Sequence, residues 1–325
     1  MTALAGAFWL ARSPRWRLLD HPNARSLHQL PIPRTGGFAV LSGLVVGSMG
    51  LALFVAEWPQ LLKILPFGLL PLAAISWLDD RQGVAAWQRL AVHGAVAISL
   101  IVAGLSIPGV GLLPAWVTMS LTGLFVVWMI NLYNFMDGMD GFAGGMAVIG
   151  FTTLAWLGRA DVGFVAVSLI IAAASAGFLV SNFPPAQLFL GDTGSTTLGF
   201  LAAALSLWGS QADLFPFWAA LWVFSPFIVD ATVTLLRRLA RGERIWEGHR
   251  SHYYQRLVLL GWGHRGTVLA EYALMLICAG SAVLAVQWWP DCLFILALGG
   301  GGVYGLLIWS VARLEQRSMG QRTKD

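Results

Sequence analysis

The sequence predicts an all-α, polytopic membrane protein, and three observations carry that reading. Of 325 residues, 57% are hydrophobic and only 11% charged, against roughly 25% charged in a soluble domain. Ten apolar runs are long enough to cross a bilayer, near 36–56, 61–78, 89–107, 112–132, 142–158, 162–180, 194–209, 214–236, 267–288 and 292–311. No internal repeat of about 20–50 residues is visible, which excludes a solenoid.

Taken in order, Met1 to Ala11 is apolar without the basic start of a secretory signal. Crossing takes about 20 apolar residues, so this stretch reads as a first helix only partly represented. Next comes D-H-P-N-A-R-S-L-H-Q-L-P-I-P-R-T-G-G over residues 20–37, with Arg25, His28 and Arg34. Its prolines and glycines predict an ordered loop rather than a helix, either capping a pocket or merely connecting.

Alternating the ten spans sorts the loops into two groups. One holds 12–35, 79–88, 133–141, 181–193, 237–266 and 312–325; the other holds 57–60, 108–111, 159–161, 210–213 and 289–291. The first group carries 17 of the 20 Lys and Arg residues. The positive-inside rule places that group in the cytoplasm. The net charge of +4 therefore marks sidedness, not nucleic-acid binding. Cys278 and Cys292 lie in apolar runs with no metal spacing, and read as small buried hydrophobes.

Every candidate for chemistry also falls in the first group. Asn131 to Gly145 reads N-L-Y-N-F-M-D-G-M-D-G-F-A-G-G, joining the fourth and fifth spans. Asn131, Asn134, Asp137 and Asp140 recur every third position; on a straight helix each step lags by about 60°, so the ends of the series oppose each other. Gly138 and Gly141 loosen the backbone enough for all four to converge on one pocket. Carboxylates at a membrane are costly and default to a functional reading.

Asp79 and Asp80 close the second span. Adjacent like charges at a lipid boundary are unfavourable unless a cation shares them, and Mg²⁺ is usually held by one or two carboxylates plus substrate phosphates. The plain alternative is a helix end meeting water. Arg89 could supply a phosphate-binding fork, or simply follow the inside bias. In L-F-L-G-D-T-G-S-T-T-L-G, Asp192 sits between glycines just before a span, as an N-cap or as a metal–phosphate ligand near the helix dipole. His249, Arg250, His252, Gln255 and Arg256 are the dense part of the longest polar segment, suited to phosphate or to lipid headgroups. Asp230, inside a span, could pair with Arg237 or Arg238.

Five of these stretches occur together and in order: the 20–37 segment, Asp79-Asp80, N-L-Y-N-F-M-D-G-M-D-G, G-D-T-G-S and H-R-S-H-Y-Y-Q-R-L. In this the chain resembles the polyprenyl-phosphate N-acetylhexosamine-1-phosphate transferases, the superfamily of the phospho-MurNAc-pentapeptide translocase and of enzymes initiating O-antigen and teichoic acid. The resemblance implies a single integral-membrane transferase domain over 1–325, with 12–35, 79–88, 133–141, 181–193 and 237–266 as cytoplasmic active-site loops in a bacterial inner membrane. It implies a UDP-N-acetylhexosamine donor, undecaprenyl phosphate as acceptor, Mg²⁺ (or Mn²⁺) and release of UMP.

Residue by residue, it implies metal ligation at Asp192 with Asn134, catalytic roles for Asp79, Asp80 and Asp137, and substrate contacts from Asn131, Asp140, Arg89, His249, Arg250 and His252. Dimeric relatives make a homodimer an expectation. The translocase carries three consecutive histidines where this chain reads His-Arg-Ser-His, which favours the initiating enzymes of surface polysaccharides. A rival from another class is a transporter, since broken helices with polar residues also build ion sites; one-sided acidic motifs argue against it.

Overall fold

The computed structural model describes residues 1–13, 18–23, 26–54, 60–108, 113–244, 248–289 and 293–322. The readings made for Arg25 and Cys292, and parts of the loops at 57–60, 108–111 and 289–291, lie outside the described residues. The chain is overwhelmingly helical: α1 (Thr2–Arg12), α2 (Gly36–Ala52), α3 (Gln60–Gln82), α4 (Ala86–Val102), α5 (Ala115–Phe135), α6 (Phe142–Leu157), α7 (Val162–Asn182), α8 (Gly191–Gln211), α9 (Phe217–Val223), α10 (Ser225–Ala240), α11 (Tyr253–Leu257), α12 (Gly263–Trp288) and α13 (Leu293–Arg322). Each predicted run contains a helix. The run at 214–236 breaks in two: α9 and α10 meet at 76°, with Pro226 in the first turn of α10, where its missing N–H and fixed φ suit a helix start.

Four described helices are long and apolar enough to cross a membrane, or five if the bent pair counts as one span; α2, α4 and α6 are shorter but apolar. One departure from the all-α expectation lies in the N-terminal segment. Leu19–Asp20 (β1) and Ile32–Pro33 (β2) pair antiparallel, Leu19 opposite Pro33 and Asp20 opposite Ile32. Two-residue strands escape any periodicity reading, because alternation needs at least four residues to show.

The core is built around α8, which is buried from Thr193 almost to its end. A helix apolar on all sides belongs inside a bundle, and the A-A-A-L-S-L stretch gives α8 small side chains that let neighbours approach. At Gly199 a Cβ would overlap the Met129 carbonyl of α5, so that crossing needs glycine. Ser76 and Thr196 hydroxyls bond at 2.9 Å between α3 and α8. This packing fixes the C-terminal end of α3 beside the N-terminal end of α8, where Asp80 and Asp192 lie.

Candidate functional site

Ends of several helices and the N-terminal segment surround one cavity of about 320 Å³. The strand pair does not stand alone. Phe189 N–H donates to the Pro33 carbonyl at 2.7 Å, and Gly36 and Gly37 N–H donate to Phe189 and Leu190 at 2.9 and 2.7 Å. The segment is thus threaded against the stretch before α8, and its side chains Asp20, His28 and Arg34 line the cavity. It covers the site rather than merely connecting two helices.

Gly191 makes the turn into α8 with φ +71°, and a Cβ there would meet the Arg34 carbonyl. Gly191→Ala is therefore expected to cost about 2 kcal/mol from left-handed backbone strain and crowding, read as a lowered midpoint of thermal unfolding. An unchanged midpoint would mean that the turn relaxes freely.

The acidic residues divide the available cations among them. Arg89 Nη1 lies 2.6 Å from Asp79 Oδ2 and 3.5 Å from Asp192 Oδ2, bridging α3 and α8 from α4. Asp79 also accepts from Val84 N–H at 2.6 Å. Asp80 turns the other way: its Oδ2 accepts from the Thr193 hydroxyl at 3.3 Å, Arg34 Nε is 3.6 Å from Oδ1, and Arg34 also donates to the Asp80 carbonyl. The adjacent pair therefore does not share one partner. Asp80 Oδ1 is buried without a hydrogen bond, with the Arg34 guanidinium as its ion-pair partner.

Asp192 is not the N-cap; Leu190 holds that position, with no side-chain cap bond. Asp192 sits in the first turn, where the helix dipole favours an anion, with Oδ2 3.5 Å from Arg89 Nη1.

Asn134 in the last turn of α5 and Asp137 and Asp140 in the loop 136–141 line the cavity, and Asn131 does not. Asn131 is still within α5, one turn before the chain turns, and donates to the Val127 carbonyl at 2.7 Å and contacts His93 Nδ1 at 3.2 Å. Gly141 (φ +76°) ends the turn, and its N–H donates to the Asn182 side chain at 2.9 Å. Asp140 accepts from Ala186 N–H at 3.0 Å and lies 3.0 Å from His264 Nδ1. Burial, then the carboxylates of Asp192, Asp80 and Asp20, push the Asp137 carboxyl well above the usual carboxylate range.

On the opposite wall, His249, His252, Tyr254 and Gln255 line the cavity. Asp230 organises them. It does not pair with Arg237 or Arg238; its carboxylate takes His252 Nδ1 at 3.1 Å and the N–H groups of Tyr253 and Tyr254 at 3.0 and 3.1 Å. His249 packs 4.7 Å from His252; burial, His252 and Arg238 lower its pKa to about 4, so it is neutral at pH 7. Arg250 does not reach this cavity and lines a separate concavity.

A family model described as glycosyl transferase family 4 matches residues 62–210. A probable undecaprenyl-phosphate N-acetylglucosaminyl 1-phosphate transferase of Bacillus subtilis (strain 168) is 31% identical over 277 residues, covering 82% of this chain and 76% of its own length. The chain belongs to glycosyl transferase family 4. It is an enzyme of the phosphotransferase type that the five motifs resemble. Other family 4 relatives include a phospho-N-acetylmuramoyl-pentapeptide-transferase of Synechococcus sp. (strain JA-3-3Ab), 31% identical over 89% of both chains. An undecaprenyl-phosphate alpha-N-acetylglucosaminyl 1-phosphate transferase of Escherichia coli (strain K12) is 27% identical over 92% of this chain and 87% of its own.

Within this family 4 site, sequence reasoning did not single out Asn182 and His264. Asn182 is a buried amide that donates to the Leu188 carbonyl at 2.9 Å while accepting from Gly141. It closes an apolar run, which is a readable signal, since an amide there must find partners. His264 opens α12 within G-W-G-H-R, a place that composition alone does not mark.

Proposed function

We propose that the protein transfers an N-acetylhexosamine 1-phosphate from a UDP-sugar to undecaprenyl phosphate, releasing UMP and initiating a surface polysaccharide such as O-antigen. An oxygen of the lipid phosphate forms the new bond to the β-phosphorus of the donor. The bond from that phosphorus to the bridging oxygen breaks, and the electron pair leaves with UMP. The observation that carries this reading is one cavity lined by Asp80, Asn134, Asp137 and Asp192 with Arg34 at its wall and Arg89 just behind.

Two anions must meet, so positioning and charge neutralisation are the main tasks. The acceptor phosphate is already largely ionised at pH 7, its second pKa being about 6, so orienting it matters more for Asp79 and Asp80 than deprotonating it. Asp140 and the His249–His252 wall lie where a donor sugar or diphosphate could be held. Among the described residues no three carboxylate, His or Cys side chains form a ready-made ion cage. The donor set is instead hard oxygens awaiting more oxygens, which suits a cation completed by substrate phosphates. Mg²⁺, or Mn²⁺ in its place, held by Asp192 and Asn134, would supply neutralisation of the charge gathering on the leaving phosphate.

The ten-span topology with this cavity at the cytoplasmic face of a bacterial inner membrane belongs to the same proposal, supported by the Lys and Arg distribution. Purified protein given UDP-[14C]GlcNAc and undecaprenyl phosphate is expected to yield lipid-linked label and UMP, and a panel of UDP-sugars ranks the donors. No label with any N-acetylhexosamine donor would overturn the reading. Preference for UDP-MurNAc-pentapeptide would instead assign the translocase reaction, which the Synechococcus relative keeps open.

The raised Asp137 pKa gives a test independent of turnover. A carboxyl that holds its proton more tightly folded than unfolded stabilises the fold at low pH, and that stability is lost as pH rises above the ordinary value near 4. A divalent cation competes with that proton. Mg²⁺ is therefore expected to raise the thermal unfolding midpoint more at pH 8 than at pH 5; at about a hundredfold over Kd the gain is about 2.7 kcal/mol, several degrees. Equal shifts at both pH values would remove the ion from this cavity.

A further inference from the structure

A second concavity of about 370 Å³ lies at the C-terminal end of α10 and shares no lining residue with the acidic cavity. Five guanidinium groups face it: Arg237, Arg238, Arg241, Arg250 and Arg256. Two carboxylates partly offset them among the described residues. Arg256 grips Glu315 through two bonds of 2.6 and 2.5 Å. Arg238 reaches Glu243 at 2.8 Å, with Arg241 3.9 Å from the same side chain.

Arg237 is held by a neutral partner, the Tyr253 hydroxyl, and the guanidinium groups of Arg237 and Arg256 both lie over the Tyr253 ring, at 5.6 and 4.6 Å. The arginines are thus braced in place with positive charge to spare. Arginine forks match phosphate oxygens. Leu259, half exposed, lines the concavity itself, and the exposed Leu236 and Leu239, on α10 with Arg237 and Arg238, line a separate apolar groove. Cations backed by exposed apolar side chains at the end of a membrane helix fit an amphiphile better than a soluble anion.

We propose that this concavity binds the phosphate group of an anionic bilayer phospholipid, with the neighbouring apolar side chains against its acyl chains. The site is separate from the transfer chemistry and gives Arg250 a partner outside the acidic cavity.

The test is native mass spectrometry of the full-length protein, exchanged from mixed phosphatidylcholine and phosphatidylglycerol micelles into neutral detergent. Wild type is expected to retain phosphatidylglycerol selectively. The double variant Arg237→Gln with Arg241→Gln is expected to bind it about twenty-fivefold more weakly, since each cation contributes about fivefold, while phosphatidylcholine retention stays constant. If the double variant does not fold, Arg241→Gln alone, at an exposed position, is expected to lose about fivefold. Undiminished phosphatidylglycerol retention in the variants would overturn the proposal. So would displacement of the lipid by millimolar inorganic phosphate, which marks a free-anion site, or by a short-chain polyprenyl phosphate, which makes the acceptor the occupant. Sugar-1-phosphate transfer by Arg241→Gln in neutral detergent is expected to match wild type, so loss of lipid selectivity and loss of the transferase reading are separate results.

Discussion

Asp192→Ala is expected to lower sugar-1-phosphate transfer by about a thousandfold while leaving the thermal unfolding midpoint nearly unchanged. The size follows from the position. Asp192 presents its carboxylate in the first turn of α8 beside Arg89, which already holds Asp79 at 2.6 Å. Under the proposed Mg²⁺ ligation, losing Asp192 takes away the ion's neutralisation of charge on the leaving phosphate, and losing one such preorganised electrostatic element typically costs about 10²–10³ in turnover. Stability is the discriminating readout. A side chain acting only as a helix cap costs about 1 kcal/mol when truncated, but the N-cap position of α8 belongs to Leu190, not Asp192. Its removal also relieves repulsion from Asp80 and Asp137. Near-wild-type turnover in excess Mg²⁺ would end the assignment, and a large loss of stability with a small loss of rate would return Asp192 to a structural role.

How much of this was legible beforehand depends on the kind of signal each residue carries. Spans are written in long apolar runs, so each run contains a helix, and even the break between α9 and α10 is marked by Ser225-Pro226. Asp80 and Asp192 could be grouped from sidedness alone, because a carboxylate at a membrane boundary is rare enough to need a reason. Sidedness is too coarse to tell a cavity wall from the space behind it. Asn131 and Arg250 share the period or the motif of their neighbours, yet Asn131 turns to α4 and Arg250 to the arginine concavity. Side-chain direction there is set by where α5 ends and how the 248–252 turn winds, one residue at a time. Asp230 shows the opposite error. A carboxylate two turns before a pair of arginines reads as their partner, but helical register carries Arg238 to Glu243 and leaves Asp230 facing α11.

That placement supports a second large effect. Asp230→Ala is expected to destabilise the fold by about 3 kcal/mol and to cut transfer by about a hundredfold. The carboxylate is 8% exposed and accepts from four donors: the Thr234 hydroxyl at 3.0 Å, His252 Nδ1, and the first two N–H groups of α11. Stripping the acceptor leaves those donors buried and unpaired, and each such group costs about 1–3 kcal/mol. The activity loss follows from His252. With Nδ1 held by Asp230 the ring is fixed, and it stacks between Phe135 and Tyr254 at 6.3 and 5.8 Å on the cavity wall. Without that anchor the ring and the 248–252 turn lose their common orientation, and positioning is what this chemistry depends on. Asp230→Asn separates the two effects: the amide keeps size and one acceptor oxygen, so most stability should return, while the bond that fixes the His252 tautomer is weakened. Thermal unfolding read beside KM and kcat tests this. A full recovery of both stability and turnover in Asp230→Asn would show that charge at position 230 is irrelevant, and that Asp230 serves only as an acceptor for the turn.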